Sequence, residues 1–182
     1  MYVVAGKAKG KKLLAVPGDS TRPILTRVKT ALFDTLRPVI EGANVLDLFG
    51  GTGAIGIEAL SQGASHVTYI ELNNRAIETI KKNLSNTGLI GFAEVRKDNA
   101  FHYLKISEES FDIIYVAPPQ YKGMWLEALR EIDKRPTLLK KDGLIVVQID
   151  PKEYEEYTLE SFEEKRQKRY GNTVLLYIGA KE

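Results

Sequence analysis

The segment with the clearest chemical potential is VLDLFGGTG, residues 45 to 53. Apolar residues lead into a turn that contains Gly50, Gly51 and Gly53, and helix-forming residues follow. A turn without side chains lets a ligand approach the backbone closely. Gly51, Gly53 and Gly56 also satisfy the G-x-G-x-x-G spacing of dinucleotide-binding proteins. The spacing therefore predicts a site for a cofactor that contains a nucleotide, and a nicotinamide dinucleotide is one of the possible cofactors.

Two details of this segment favour S-adenosylmethionine as the cofactor. Asp47 lies at the end of the predicted strand, where its carboxylate can receive an ammonium group directly or through water, whereas a pyrophosphate would be repelled. The turn also has the form F-x-G-x-G, which begins at Phe49. We therefore expect cofactor contacts from Asp47, Phe49, Gly50, Gly51, Thr52 and Gly53. A turn that only lets the strand pack against the helix is the alternative.

Further acidic residues end the next two predicted strands. Glu71 follows Asp47 by 24 residues, where a carboxylate can accept hydrogen bonds from both ribose hydroxyls. Asp98 and Asn99 follow the third strand and are expected to flank the adenine. Each acid alone is more often a solvated turn residue or a helix cap. Because ligands bind beyond the carboxyl ends of parallel strands, three acids at successive strand ends favour one shared site.

The elements that must position these residues alternate between strand and helix. This alternation predicts one α/β domain over residues 1 to 182, with a Rossmann-like, doubly wound, mostly parallel seven-stranded sheet. An antiparallel C-terminal hairpin and a small basic N-terminal extension complete the expected fold. The predicted strands cover residues 44–49, 67–71, 93–96, 111–116, 144–149, 163–169 and 173–178. The predicted helices cover residues 24–39, 54–61, 74–85 and 125–132, with a short helix after Asp98.

Composition narrows the classes of function. The chain has no cysteine and only two histidines, His66 and His102, so disulfides, thiol nucleophiles and a multi-histidine metal centre are not expected. Apolar runs are shorter than the roughly 18 residues of a membrane span, and the N-terminus lacks the apolar core of a secretory signal. We therefore expect a cytoplasmic protein that uses neither a metal nor a membrane.

Charge is distributed unevenly along the chain. Residues 1 to 40 contain eight basic and two acidic side chains, a net of 8 − 2 = +6, so the remainder carries −4 of the total +2. Residues 1 to 20 are expected to form a basic arm, in the shape of a hairpin, that binds a polyanion such as RNA. A solvated hairpin without a partner is the alternative. The expected phosphate contacts come from Lys7, Lys9, Lys11, Lys12 and Arg27.

The fourth predicted strand ends in APPQY, residues 117 to 121. This ending is similar to the (D/N)-P-P-(Y/F) motif of amino-methylating enzymes, although a stiff loop exit is an alternative explanation of the two prolines. More narrowly, the chain resembles the RsmD-type methyltransferases of small-subunit ribosomal RNA over nearly its whole length. The resemblance rests on the pattern of Gly6, Gly10 and Leu13, on Arg22-Pro23 with Arg27-Val28 and Leu32-Phe33, on the turn after Phe49 with Gly56 and Glu58-Ala59-Leu60, and on Glu71 and the double proline.

The resemblance implies transfer of a methyl group from S-adenosylmethionine to the exocyclic N2 amine of a guanine in 16S ribosomal RNA. The RNA would be free or part of a partly assembled small subunit. Arg22 and Thr26 would lie beside the cofactor, together with Ala117. Pro118, Gln120 and Tyr121 would form the catalytic pocket that receives the base.

Ala117 is the point at which the chain departs from the family motif, because alanine replaces the Asp or Asn that accepts a hydrogen bond from the target amine. The Pro118 carbonyl and the Gln120 side chain remain possible acceptors, and Tyr121 can stack on the base. Loss of one charged acceptor costs about 1.5–3 kcal/mol. Two alternatives therefore stay open: an RNA-binding or ribosome-assembly protein with weak or no catalysis, and an NAD-dependent oxidoreductase.

Overall fold

The computed structural model describes residues 1–18 and 23–182. Within them, seven strands form one sheet in the order β3-β2-β1-β4-β5-β7-β6. The strands are β1 (Asn44–Asp47), β2 (His66–Glu71), β3 (Ala93–Lys97), β4 (Phe111–Val116), β5 (Leu139–Ile149), β6 (Phe162–Tyr170) and β7 (Thr173–Ala180). The helices are α1 (Thr26–Ile40), α2 (Ala54–Ser61), α3 (Asn74–Asn86), α4 (Ala100–Ile106) and α5 (Met124–Lys134). Short 3-10 turns occupy Ile90–Phe92, Pro136–Leu138 and Pro151–Glu153.

The order of the strands reverses between β1 and β4. From β1 the chain moves outward through β2 to β3, and it then returns to the other side of β1 to build β4 and β5, all parallel. β7 runs antiparallel between β5 and β6. Asp47 is the register partner of Tyr115, so β1 and β4 end side by side. Such a reversal opens a crevice at the carboxyl edge of the sheet, which is where doubly wound proteins bind ligands.

The predicted fold class is confirmed, and the element boundaries agree with the prediction to within two residues except at the start of β5. α1 begins at Thr26 and continues through Pro38 to Ile40, one residue beyond the predicted end, although Pro38 has no amide hydrogen to donate to the Asp34 carbonyl. β5 begins at Leu139 and not at Leu144 as predicted. Leu139 pairs with Phe111, and the next paired residues are Leu144 and Ile113. The residues between Leu139 and Leu144 have no partners in β4 and form a bulge. That bulge contains Asp142, which has a φ of 64°.

Two apolar cores lie on the two faces of the sheet. One contains the buried faces of α1, α2 and α3, and the other contains those of α4 and α5. On the α5 side, Trp125 stacks on Tyr154 and meets Tyr157 edge to face, with ring centroids 6.3 and 5.5 Å away. These contacts hold the segment after β5 against α5. Within the described ranges, no helix combines the length and apolar character required to cross a bilayer.

The N-terminal residues fold back on themselves and pack against α2. Tyr2 and Lys12 form an antiparallel bridge, and the amide of Val3 donates to the carbonyl of Lys11 at 2.9 Å. Gly6 sits at the turn with a φ of 88°, and a Cβ there would lie 1.8 Å from the carbonyl oxygen of Ser61. The arm can therefore pack against the end of α2 only because residue 6 is glycine. Any side chain at this position would push the arm away from α2.

Candidate cofactor and base site

The glycine turn after β1 contains glycines with two different tasks. A Cβ on Gly50 would lie 2.8 Å from the Ile80 side chain, and one on Gly56 would lie 2.3 Å from the Tyr69 hydroxyl. A side chain at Gly56 would therefore collide with the Tyr69 ring, and one at Gly50 would have to displace the end of the Ile80 side chain. Gly51 differs, because it has a φ of 59° and a Cβ there would meet nothing closer than 3.9 Å. Gly51 leaves an open face that can admit a ligand.

Asp47 lies beneath this turn and is only 2% exposed. Burial raises the pKa of its carboxyl group well above the ordinary value; the Gly56 amide opposes that shift, and the nearby charge of Glu71 adds to it. A carboxyl group this buried can influence a ligand through the turn or through an intervening group. The contact of Asp47 with an ammonium group, direct or through water, stays a prediction.

Glu71 ends β2 and is held by three backbone donors. Its carboxylate accepts hydrogen bonds from the amides of Gly51 at 2.9 Å, Leu72 at 2.8 Å and Asn73 at 2.9 Å. A carboxylate offers about four acceptor positions, so room remains for a ligand hydroxyl. The contact with Gly51 also joins the end of β2 to the glycine turn. Glu71 therefore has both the orientation and the spare capacity that a ribose contact requires.

Asp98 and Asn99 follow β3, and the structure gives each of them other partners. Asn99 caps α4, because its side-chain oxygen accepts from the amides of Phe101 at 2.9 Å and His102 at 3.1 Å. The Asp98 carboxylate contacts His102 Nδ1 at 3.0 Å. Phe101 also meets Phe49 edge to face at 6.2 Å. An adenine at this edge would therefore share Asp98 with His102 and would lie near two aromatic rings.

The loop after β4 carries the predicted base pocket. Ala117 is half-buried and packs against the core beneath α1, so its methyl group faces the protein interior. Pro118 is also half-buried, whereas Gln120 is exposed. Tyr121 is 62% exposed and has a φ of 62°. The loop thus presents a polar side chain and an aromatic ring to solvent next to the ends of β1 and β4.

Two acids from the segment after β5 hold Tyr121 in this position. The Tyr121 amide donates to Glu153 Oε1 at 2.7 Å, and its hydroxyl donates to Asp150 Oδ2 at 2.9 Å. A hydrogen bond from the Lys152 amide, and then one from the Tyr121 hydroxyl, lower the pKa of the Asp150 carboxyl group. The hydrogen bond between Tyr121 and Asp150 also raises the pKa of Tyr121. The sequence patterns described above do not predict a role for Asp150 or Glu153. Their signal is the capping-box pattern D-P-K-E, which the structure contains.

The basic arm reaches towards both edges of the sheet. Leu14 exchanges hydrogen bonds with Asn83, whose amide group also donates to the Thr52 carbonyl in the glycine turn, whereas the tip of the arm lies towards the opposite edge. Its expected contact residues Lys7, Lys9, Lys11 and Lys12 are all exposed. The Lys7 amide donates to the carbonyl of Ser61, which ends α2, and Lys7 Nζ lies 5.9 Å from the centre of the Phe92 ring, just before β3. Ser61 lies in the chain just before β2, and Phe92 immediately precedes β3, so both lie near the amino ends of these strands. The tip of the arm is therefore remote from the glycine turn.

Lys29 is a further cation of the basic N-terminal region, but it does not reach the surface. It is 1% exposed and forms an ion pair with Glu58 at 3.2 Å, and its ammonium group also donates to the Tyr2 carbonyl at 2.7 Å. The Glu58 carboxylate in turn accepts from the amides of Val4 at 2.8 Å and Ala5 at 3.1 Å. Lys29 and Glu58 therefore anchor the arm, a role that no sequence motif revealed.

Of the remaining predicted contacts, Thr26 and Arg27 are exposed in the first turn of α1. Arg27 Nη2 lies 4.0 Å from the position that a Cβ on Gly171 would occupy, at the turn between β6 and β7. The predicted contact of Arg22 lies outside the described residues. In residues 1–18 and 23–182, no group of three or more His, Asp, Glu or Cys side chains could hold a metal ion.

Comparisons with known proteins agree with this geometry. Residues 1–179 match the model of the family described as Conserved hypothetical protein 95. The chain belongs to this family. It is 36% identical over 181 residues to YlbH of Bacillus subtilis, which carries the provisional name of an rRNA methyltransferase; the match covers 97% of this chain and 98% of that protein.

A second relative is the ribosomal RNA small subunit methyltransferase D of Escherichia coli, 35% identical over 131 residues, which are 72% of this chain and 66% of that one. Among solved structures, YhhF of Escherichia coli, provisionally described as a methyltransferase, superposes with a TM-score of 0.86 at 32% identity and covers 100% of this chain and 98% of its own. The class and the cofactor expected from the sequence are thereby confirmed: the chain is a methyltransferase that uses S-adenosylmethionine. The dinucleotide alternative has no support in these relationships.

Proposed function

We propose that the protein transfers a methyl group from S-adenosylmethionine to the exocyclic N2 amine of a guanine in small-subunit ribosomal RNA. The observation that carries the proposal is the adjacency of two loops. The glycine turn follows β1 and the loop of residues 117 to 121 follows β4, and the Leu48 amide donates to the Tyr115 carbonyl at 3.0 Å between them. A cofactor on the first loop and a base on the second would meet at the reversal of strand order.

The residues around the glycine turn fit the expected cofactor. Gly51 offers an open face, Glu71 has a free acceptor position, and Phe49 with Phe101 supplies aromatic surface next to Asp98. When bound, S-adenosylmethionine supplies an activated methyl group on a sulfonium. Because the leaving group is already activated, the contribution expected from this chain is alignment of the acceptor amine.

The loop after β4 supports alignment by hydrogen bonding and stacking. The Pro118 carbonyl and the Gln120 side-chain oxygen are the acceptors for the guanine amine, since Ala117 has none and faces the core. The Tyr121 ring is exposed and its hydroxyl is fixed by Asp150, so the ring forms a ready surface for an extruded base. The amine becomes positively charged when it accepts the methyl group, and it then releases a proton to solvent.

The RNA substrate is supported by the relatives named above, which are described as acting on ribosomal RNA, and by the exposed cations of the chain. An enzyme of this kind acts where small subunits are assembled, so a cytoplasmic location is part of the proposal. Methyl transfer to RNA extracted from immature small subunits, followed by mapping of the labelled nucleotide, tests it. Label on the N2 of one guanine supports the proposal, and label on another atom overturns the assigned specificity.

A second candidate function rests on Ala117. A chain that lacks the family's acidic or amide acceptor could bind the cofactor and RNA as an assembly factor without transferring the methyl group. The same assay separates the two candidates, provided that binding of S-adenosylhomocysteine is measured in parallel. Binding of that ligand without any transfer to RNA or to immature subunits would favour the assembly factor.

A further inference from the structure

We infer that the C-terminal half of β6 is a second RNA-binding surface, one that contacts phosphates next to the reacting base. This surface consists of Arg166, Lys168 and Arg169, with Arg27 beside it, and we call it the hairpin surface. The inference rests on the proposed function, because it names where the RNA backbone would lie relative to that site. It goes beyond the proposed function, because the charge pattern of the sequence indicates only the basic arm and Arg27 as RNA contacts and not the residues of β6.

The hairpin surface lies at the same edge of the sheet as the glycine turn. β7 is antiparallel to β5, and Val174 at its start is the partner of Ile149 at the end of β5. The turn that joins β6 to β7 therefore projects from the carboxyl edge. Arg169 Nε donates to the Gly171 carbonyl at 3.1 Å, which fixes the guanidinium at this turn.

A chain of contacts links this turn to the base pocket. Asp150 accepts the Tyr121 hydroxyl at 2.9 Å, and the charge of Arg169 is near enough to help lower the pKa of Asp150. A base stacked on Tyr121 would therefore have its phosphates within reach of Arg169. The tip of the basic arm packs instead against Ser61 and Phe92 at the opposite edge.

The charges of β6 are separated along the strand. Its first half contains Glu163 and Glu164, and Lys165 is tied to Glu163 at 2.7 Å. Arg166, Lys168 and Arg169 are exposed, and none of them forms an ion pair with a residue in the ranges 1–18 and 23–182. A cluster of cations that are not held in ion pairs within these ranges attracts a polyanion, and the cluster lies at the end of the strand nearest the site.

The cations also reach both faces of the edge strand. Arg166 and Lys168 are the register partners of Tyr177 and Leu175, which belong to the core beneath α1, so they lie on that face. Arg169 is the partner of Val174, which belongs to the other core. Charges on an edge strand can also act simply to prevent pairing with another sheet. That role needs charge of either sign anywhere along the edge, and it does not require the cations to gather at one end.

The test is the salt dependence of binding to a fluorescein-labelled transcript of small-subunit ribosomal RNA. Replacing Arg166, Lys168 and Arg169 with alanine should weaken binding about 10- to 100-fold near 0.15 M salt, and it should lower the slope of log K against log[salt] by up to about 2 to 3. A matched control removes three exposed lysines from α3 and α4, namely Lys81, Lys82 and Lys105, and should change both values much less.

A charge-reversed variant separates RNA binding from protection of the strand edge. Changing the same three residues to glutamate keeps the edge charged, so a merely protective role predicts a monomeric protein with unaltered RNA affinity. The hairpin surface predicts weaker RNA binding than in the alanine variant, with unchanged affinity for S-adenosylhomocysteine by calorimetry. Wild-type affinity and slope in both variants would overturn the inference. Failure of the wild-type protein to bind the transcript at all would instead contradict the proposed function.

Discussion

The amide of Gly51 donates a 2.9 Å hydrogen bond to the Glu71 carboxylate, so the end of β2 is tied to the glycine turn that follows β1. One carboxylate therefore orients the turn and, in our proposal, also accepts a hydrogen bond from a ribose hydroxyl in its remaining acceptor position. The cofactor site is consequently coupled to the packing of the sheet, and changes at Glu71 affect both.

We expect Glu71→Ala to weaken binding of S-adenosylmethionine by about 1.5–3 kcal/mol, the range for hydrogen bonds to a charged group. Titration calorimetry measures this directly, with circular dichroism to check the fold. Glu94→Ala is a matched control, because Glu94 is an exposed acid on the neighbouring strand β3. An unchanged affinity in a folded Glu71→Ala protein would rule out the ribose contact.

The buried pair of Lys29 and Glu58 gives a prediction about stability. Lys29→Met leaves the Glu58 carboxylate buried without its cation, and we expect the free energy of unfolding to fall by about 3–5 kcal/mol. Arg37→Ala, which breaks the exposed pair with Asp34 on the same helix, should cost less than about 1 kcal/mol. Urea denaturation of the two variants compares them. Equal decreases in the free energy of unfolding would show that the buried ion pair contributes no more to stability than the exposed one.

Asp47 predicts a dependence of stability on pH. Burial raises the pKa of its carboxyl group in the folded protein, so the folded state binds the proton more tightly than the unfolded state does. The free energy of unfolding should therefore decrease as the pH rises from the ordinary carboxyl pKa of 3.8 through the raised value. Asp47→Asn should flatten this part of the profile, whereas Asp34→Asn, at an exposed position, should leave it unchanged. A wild-type slope in Asp47→Asn would contradict the assignment.

Most of the fold could be predicted from the sequence because its elements carry their own signals. β4 and α2 were predicted with the boundaries that the structure has, since each is an apolar run bounded by turn residues. The start of β5 could not be predicted, because the bulge before Leu144 contains charged residues that resemble a loop. The anchoring of the arm was also missed, since Lys29 and Glu58 meet only in the folded chain.

The candidate site was predicted in part for the same reason. Strand ends are local features, so Glu71 and the residues of the glycine turn could be found from spacing. The partners of Tyr121 depend on the packing of the segment after β5 against the loop after β4, which spacing does not encode. The separate tasks of Gly50 and Gly51 likewise depend on Ile80, from a helix distant in sequence.

Tyr121 gives a prediction in which the ring and the hydroxyl can be tested separately. Tyr121→Ala removes the stacking surface, and we expect about a 5- to 150-fold loss in affinity for the RNA, from about 1–3 kcal/mol per stacked base. Tyr121→Phe keeps the ring and loses only the hydrogen bond to Asp150, so it should bind RNA nearly as the wild type does. Equal losses in the two variants would indicate that the hydroxyl, and not the ring, contacts the RNA.

The most direct test of the central claim is single-turnover methyl transfer by the Gln120→Leu variant and the wild type on immature small subunits. If residues 117 to 121 align a guanine amine, Gln120→Leu should reduce the rate about three- to tenfold, as for loss of one neutral hydrogen bond, with unchanged affinity for S-adenosylhomocysteine. The wild type should label the N2 of one guanine. A wild-type rate in the variant would exclude Gln120 from the site. The absence of any transfer by the wild type, despite cofactor binding, would contradict the account as a whole.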